Sequence, residues 1–234
     1  MLVLYYSQTS NTKTVAHEIA TRLHADIEEI TLVEPYDTAF QATIERCKAD
    51  REKGILPEIK PLKSNVADYD VVFIGYPIWF GTYAPPIASL LDKIDLSGKT
   101  VVPFCTFGSG GLESSAKDLT EKQPIAKIMP GYGVRAARMD AMSKEVEWFL
   151  KTIGLIEGEV FVPADFPEQH PVSAEEAAIF DAAVDGYPML NAKAKTVASR
   201  TIQDGDGTEY LFTAMDMPRE KKADMPPPAK SKSM

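Results

Sequence analysis

The chain has 234 residues, 44% of them hydrophobic, and a formal net charge of −9. That suffices for one well-filled core plus an appendage, and it argues against nucleic acid as a partner, which calls for a clustered basic face. The acidity is local: residues 157–218 carry 12 acidic and 3 basic side chains, whereas residues 1–156 carry 20 and 17. This reads as a solvated surface, with a dedicated docking patch as the alternative. No apolar run approaches membrane-spanning length. The chain starts directly in an apolar strand, with no charged n-region or cleavable apolar segment. A cytoplasmic protein with no membrane partner is the expectation. Cys47 and Cys105 lack metal or redox spacing and read as buried reduced thiols.

Leu2 to Tyr6 reads as a buried first strand. After it comes Ser7-Gln8-Thr9-Ser10-Asn11-Thr12, and then a helix whose apolar positions 15, 16, 19, 20 and 23 repeat at helical spacing. A helix start offers free N–H groups and the positive end of its dipole, so hydroxyl residues placed there suit a phosphate dianion. The same residues are also ordinary turn and capping residues. The glycine-rich patterns for dinucleotides and nucleoside triphosphates are absent.

Ile27–Leu32 reads as a second strand. Thr38-Ala39-Phe40-Gln41 has capping-box form and predicts a helix through Glu45 to Lys53, stopped at Gly54. Asp70 to Gly75 is a continuous apolar run of the kind buried on both faces of a parallel sheet. It ends in Tyr76-Pro77-Ile78-Trp79-Phe80-Gly81-Thr82-Tyr83-Ala84-Pro85-Pro86. A rigid aromatic loop of this kind makes a stacking platform for a flat ring, or covers a sheet edge. A helix begins at Ile87–Leu91. Thr100–Cys105 is the next strand and delivers Thr106-Phe107-Gly108-Ser109-Gly110-Gly111, where backbone N–H groups can approach a ligand closely. A helix at Glu113–Leu119, a broken strand at Ile125–Tyr132 and a helix at Met139–Ile153 complete the pattern. Strands alternating with helices imply a parallel sheet covered on both faces. Such sheets bind ligands beyond the carboxyl ends of their strands, and all three unusual loops follow strands.

With those three loops in order, residues 1 to about 155 resemble a flavodoxin. The resemblance implies a doubly wound, five-stranded α/β fold of order 2-1-3-4-5 and FMN as cofactor. It puts the phosphate on Ser7, Gln8, Thr9, Ser10, Asn11 and Thr12, where flavodoxins usually have Gly in place of Ser10. The flavin ring would lie between Pro77, Ile78, Trp79, Phe80 and Gly81 on one side and Thr106, Phe107, Gly108, Gly110 and Gly111 on the other. Trp79 or Phe80 would pack on the ring. Lys13 reads as solvent-facing, and His17, His24 and His170 share no ligand spacing. No residue is assigned as general acid, base or nucleophile, because the flavin carries the redox step.

Residues 157–172 read as a connector. Ser173-Ala174-Glu175-Glu176 forms a capping box opening a helix to about Val184. Strand-like runs near Ala192–Ile202 and Thr208–Met215 flank a turn at Gln203 to Gly207, and residues 219–234 read as a flexible tail. An electron-transfer flavodoxin, working with redox partner proteins, is the leading expectation. An NAD(P)H-dependent FMN or quinone reductase is second, and a scaffold that has lost its flavin is third. A helix plus hairpin is too small for a secure core of its own, so the appendage is expected to pack on the first domain or on another copy, the latter making a homo-oligomer.

Overall fold

The computed structural model describes residues 1–160, 164–185, 191–201 and 207–217. The chain divides into two compact units, residues 1–160 and 161–234.

In the first unit the central strand is β1 (Leu2–Tyr5), buried at every position. It pairs in parallel with β2 (Asp26–Glu29) and with β3 (Val71–Trp79). The two-residue strand β4 (Thr82–Tyr83) folds back antiparallel on the end of β3, and β5 (Thr100–Phe107) runs parallel on its other side. The fifth position is shared by β6 (Lys127–Ile128) and β7 (Tyr132–Arg135), both parallel to β5. Counting the parallel positions in chain order gives 2-1-3-4-5, as expected for a doubly wound sheet.

Alternation along β1 divides the core, since neighbouring strand residues face opposite ways. Leu2 and Leu4 join Val72, Ile74 and Tyr76 with α3 (Pro85–Leu91), α4 (Leu112–Lys122) and Cys47 of α2 (Phe40–Glu52). Val3 and Tyr5 join Phe73, Val102 and Phe104 with α1 (Asn11–Leu23) and α5 (Met142–Thr152). The α1 positions that the periodicity selects (Val15, Ala16, Ile19, Ala20 and Leu23) are its buried apolar face.

Five local expectations need correction. The second strand stops at Glu29, and Leu32 forms only an isolated antiparallel bridge with Ile59. The Thr38 capping box does not form. Ala39 is the N-cap, and the Asp37 carboxylate accepts its N–H at 2.7 Å, a competing local bond that satisfies the turn before the helix begins. The strand expected over Ile125–Tyr132 is broken at Pro130-Gly131 as expected, because proline has no N–H to give the ladder, but its second half begins at Tyr132 and runs on to Arg135. The last helix begins as a 3-10 segment, Ala136–Ala141, before becoming α-helical at Met142. Finally, β3 runs beyond Gly75 to Trp79 and β5 runs to Phe107, so much of the expected loop is strand.

In the second unit, β8 (His170–Pro171), β9 (Ala192–Thr201) and β10 (Thr208–Asp216) form an antiparallel sheet in the order β10-β9-β8. Helix α6 (Ala174–Val184) starts with the expected capping box. The Ser173 hydroxyl accepts the Glu176 N–H, and the Glu176 carboxylate accepts the Ser173 N–H. Phe180 packs edge-on against Phe212 at 5.3 Å. The expected turn at residues 203–206 and the tail at 219–234 lie outside the described residues. Among the described residues, no helix is long and apolar enough to cross a membrane.

Candidate functional site

Parallel pairing aligns the ends of β1, β3 and β5, so the segments that follow them meet at one sheet edge. The β1–α1 turn and the end of β5 are joined directly. Thr12 Oγ1 and Thr106 Oγ1 lie 2.9 Å apart, both buried. The Thr12 hydroxyl is thus spent on this bond, and the other hydroxyls of the turn divide differently. Ser7 Oγ accepts the Lys13 N–H at 3.2 Å, while Thr9 and Ser10 are exposed.

Ser10, the N-cap of α1, has φ +70° and no side-chain capping bond. A left-handed serine is strained, which explains why glycine suits this position. Of the first helical N–H groups, Lys13 donates to Ser7 and Thr14 donates to the Ser10 carbonyl. A helix supplies no internal partner for those ahead of them. Helix α4 starts similarly. Its N-cap is Gly111 at φ +118°, again with no side-chain cap. A Cβ there would lie 2.6 Å from Ile78 Cγ2, so only glycine lets α4 approach β3 this closely.

The aromatic segment is a tight hairpin. Ile78 pairs with Tyr83 and Trp79 with Thr82, leaving Phe80 and Gly81 as a two-residue turn at φ +52° and +84°. Positive φ at both positions is the type I′ condition, usually met by Asn-Gly. Phe80 is 53% exposed there. Helix α4 fastens the turn, with the Ser114 hydroxyl donating to the Gly81 carbonyl at 2.6 Å and Thr82 Oγ1 to the Asp118 carboxylate at 2.5 Å. Trp79 is half-buried, edge-on to Tyr6 at 6.0 Å and to Tyr36 at 5.2 Å.

The structure therefore brings together residues 7–12, 77–81 and 106–111. Sequence reasoning missed the connection at residues 34–39, where Tyr36 backs Trp79 and the Asp37 carbonyl accepts the Gln8 amide at 2.9 Å. An aromatic directly after Pro35 in a carboxyl-edge loop was the available signal. The Tyr36 hydroxyl lies beside the Cys47 thiol but outside hydrogen-bond geometry. Among the described residues it is the one buried side-chain polar atom without a partner.

Lys13 is exposed and pairs with Glu29 at 3.4 Å, while His17 is exposed on α1 and His24 is exposed at its C-cap. An open groove of about 540 Å³ follows α1 outward from Ser10, past Lys13, Thr14, His17, Glu18 and Thr21. Burial pushes the Tyr6, Tyr36 and Tyr76 phenols up, and it raises the Cys105 thiol to about 12. These groups hold their protons at neutral pH. Among the described residues, no cluster of three His, Cys, Asp or Glu could hold a metal.

The flavodoxin family model matches residues 1–151, well over half of the chain. The chain belongs to the flavodoxin family. A crystal structure of a candidate flavoprotein from Bacteroides eggerthii is 32% identical, with a TM-score of 0.57, over 65% of this chain and 96% of that one. A flavoprotein from Lactobacillus acidophilus, crystallised in complex with FMN, is 26% identical with a TM-score of 0.51, over 61% of this chain and 97% of that one. A further candidate flavoprotein, from Bacteroides uniformis, is 25% identical with a TM-score of 0.52, over 62% and 96%.

Proposed function

We propose that residues 1–156 bind FMN and that the protein transfers electrons through it. The observation that carries this reading is the meeting, at one sheet edge, of two helix starts without side-chain caps and a hairpin tip bearing aromatic residues. The fit is chemical. Backbone N–H groups at the start of α1, with the Ser7, Thr9 and Ser10 hydroxyls, supply phosphate donors without requiring a cation. Gln8, Asn11 and Thr12 shape this turn. Pro77, Ile78, Trp79, Phe80 and Gly81 form one wall for the ring, and Thr106, Phe107, Gly108, Gly110 and Gly111 form the other, with small residues admitting backbone contact. The FMN complex of the Lactobacillus acidophilus relative supports the cofactor.

FMN supplies the redox chemistry when bound. The chain's own part is to bind the phosphate, orient the ring and exclude water from one side of it. The buried phenols and the Cys105 thiol hold their protons, so none of them serves as a base at neutral pH. With no substrate-handling residue assigned beside the three loops, the leading reading is a carrier working with redox partner proteins. Exposed Phe80 favours a second reading, an NAD(P)H-dependent FMN or quinone reductase, because its free ring can stack on a second flat molecule.

The test is an absorbance titration with FMN followed by steady-state NAD(P)H oxidation with a quinone. Saturable, stoichiometric flavin binding is expected, with turnover only when a partner reductase is added. Absence of flavin binding would overturn the cofactor assignment, and turnover without a partner would select the reductase reading.

A further inference from the structure

We propose that residues 34–39 form a further wall of the site, beside the two ring walls and the phosphate turn, and that Gln8 is a positioning residue, locking Trp79 rather than holding phosphate with its side chain. This rests on the FMN reading above.

A glutamine in a phosphate loop has an amide that can donate to the ligand. Here both ends of that amide are engaged elsewhere. Gln8 Oε1 accepts the Tyr6 hydroxyl at 2.6 Å, and Gln8 Nε2 donates to the Asp37 carbonyl at 2.9 Å. The Tyr6 ring and the Tyr36 ring, one residue before Asp37, both pack edge-on against the Trp79 indole, at 6.0 and 5.2 Å. One side chain thus ties Tyr6, which grips Trp79 directly, to Asp37, the residue after Tyr36, across 29 positions of sequence.

The 34–39 connection is itself fastened. The Asp37 carbonyl also accepts the Thr43 hydroxyl at 2.8 Å. The Arg46 guanidinium lies 4.6 Å from the Tyr36 ring centre and donates to the Glu34 and Pro35 carbonyls at 3.1 and 2.9 Å. To reach a phosphate, the Gln8 amide would have to abandon both of its bonds, one of them to a buried phenol. Left in place, it holds the indole in a single orientation before any ligand arrives, which lowers the ordering cost of stacking a ring there.

Positioning and direct ligation predict different losses. The chain has two tryptophans, so the experiment is run in a Trp148→Phe background where Trp79 is the sole reporter. Gln8→Ala is expected to raise the Kd for FMN and for riboflavin, which lacks the phosphate, by the same factor, about three- to tenfold for one lost positioning contact. In the flavin-free protein its Trp79 emission should shift to longer wavelength and lose anisotropy. Tyr6→Phe keeps the ring and removes only the hydroxyl, so it should reproduce part of both effects, and it decides the matter if Gln8→Ala does not fold. A rise in the FMN Kd with riboflavin unchanged would overturn the proposal and make Gln8 a phosphate ligand. Unchanged Trp79 emission in both variants would also overturn it. If the parent protein bound neither flavin, the cofactor reading would fall, while Trp79 emission would still decide the clamp.

Discussion

Thr12 and Thr106 share a buried hydrogen bond of 2.9 Å across 94 residues of sequence, tying the first turn of α1 to the end of β5. Both hydroxyls are out of water, so removing one leaves the other without a partner. Thr12→Val or Thr106→Val alone is expected to destabilise by about 1–3 kcal/mol. Thr12→Val with Thr106→Val together should cost clearly less than the sum, because no orphaned hydroxyl remains. Urea denaturation of the four proteins measures the coupling, and strict additivity would show that the bond does not form.

Phe80 occupies a left-handed position that its ring disfavours, at φ +52° with 53% exposure. Such strain in a bulky residue costs on the order of 1–3 kcal/mol. Phe80→Asn relieves it, since asparagine is at home in a type I′ turn. The variant should be more stable than the parent by about 1 kcal/mol in urea, yet bind FMN more weakly. Gain of stability with full FMN affinity would show that the ring has no part in the site.

Much of this arrangement was legible in the sequence, and the parts that were not have a common cause. The buried face of α1 and the apolar run of β3 follow from spacing along a single element, where periodicity alone decides which side chains are buried. The Gln8–Asp37 and Thr12–Thr106 pairings depend on which strands become neighbours, and local pattern carries no register. The Phe80 hairpin escaped notice because Phe-Gly lacks the residue that normally signals positive φ. The Thr38 box looked sound, yet Asp37 one position earlier reached the Ala39 N–H first. Serine at position 10 carried its meaning openly, being a substitute where the left-handed turn prefers glycine.

Alkaline pH should weaken the first unit. The Cys105 thiol rises from 9.0 to about 12 through burial, and burial raises the Tyr5, Tyr6, Tyr76 and Tyr132 phenols as well. A raised pKa means that the folded state holds the proton more tightly. The resulting stability is fully present below the unfolded pKa and is lost as pH climbs toward the folded one. The urea midpoint should therefore be flat from pH 7 to 8 and fall steadily above about pH 9. In the native protein at pH 8, Cys105 should resist thiol reagents that label it in urea. A midpoint unchanged up to pH 11 would contradict these buried environments.

Residues 161–234 form a separate unit, outside the residues 1–151 that the flavodoxin family model matches. The Lactobacillus acidophilus flavoprotein that holds FMN aligns over 97% of its own length with 61% of this chain. Both core clusters of the first unit, and every segment proposed to hold the flavin, lie within residues 1–160. A chain ending at residue 160 should therefore fold and bind FMN within about threefold of the full-length affinity. Isothermal titration of the two proteins, with circular dichroism to establish folding, makes the comparison. A folded truncation that has lost FMN would mean that the second unit contributes ligand contacts. Retained FMN binding would leave that unit free to act on something other than the cofactor, and assays of electron transfer with and without it would then be the place to find its role.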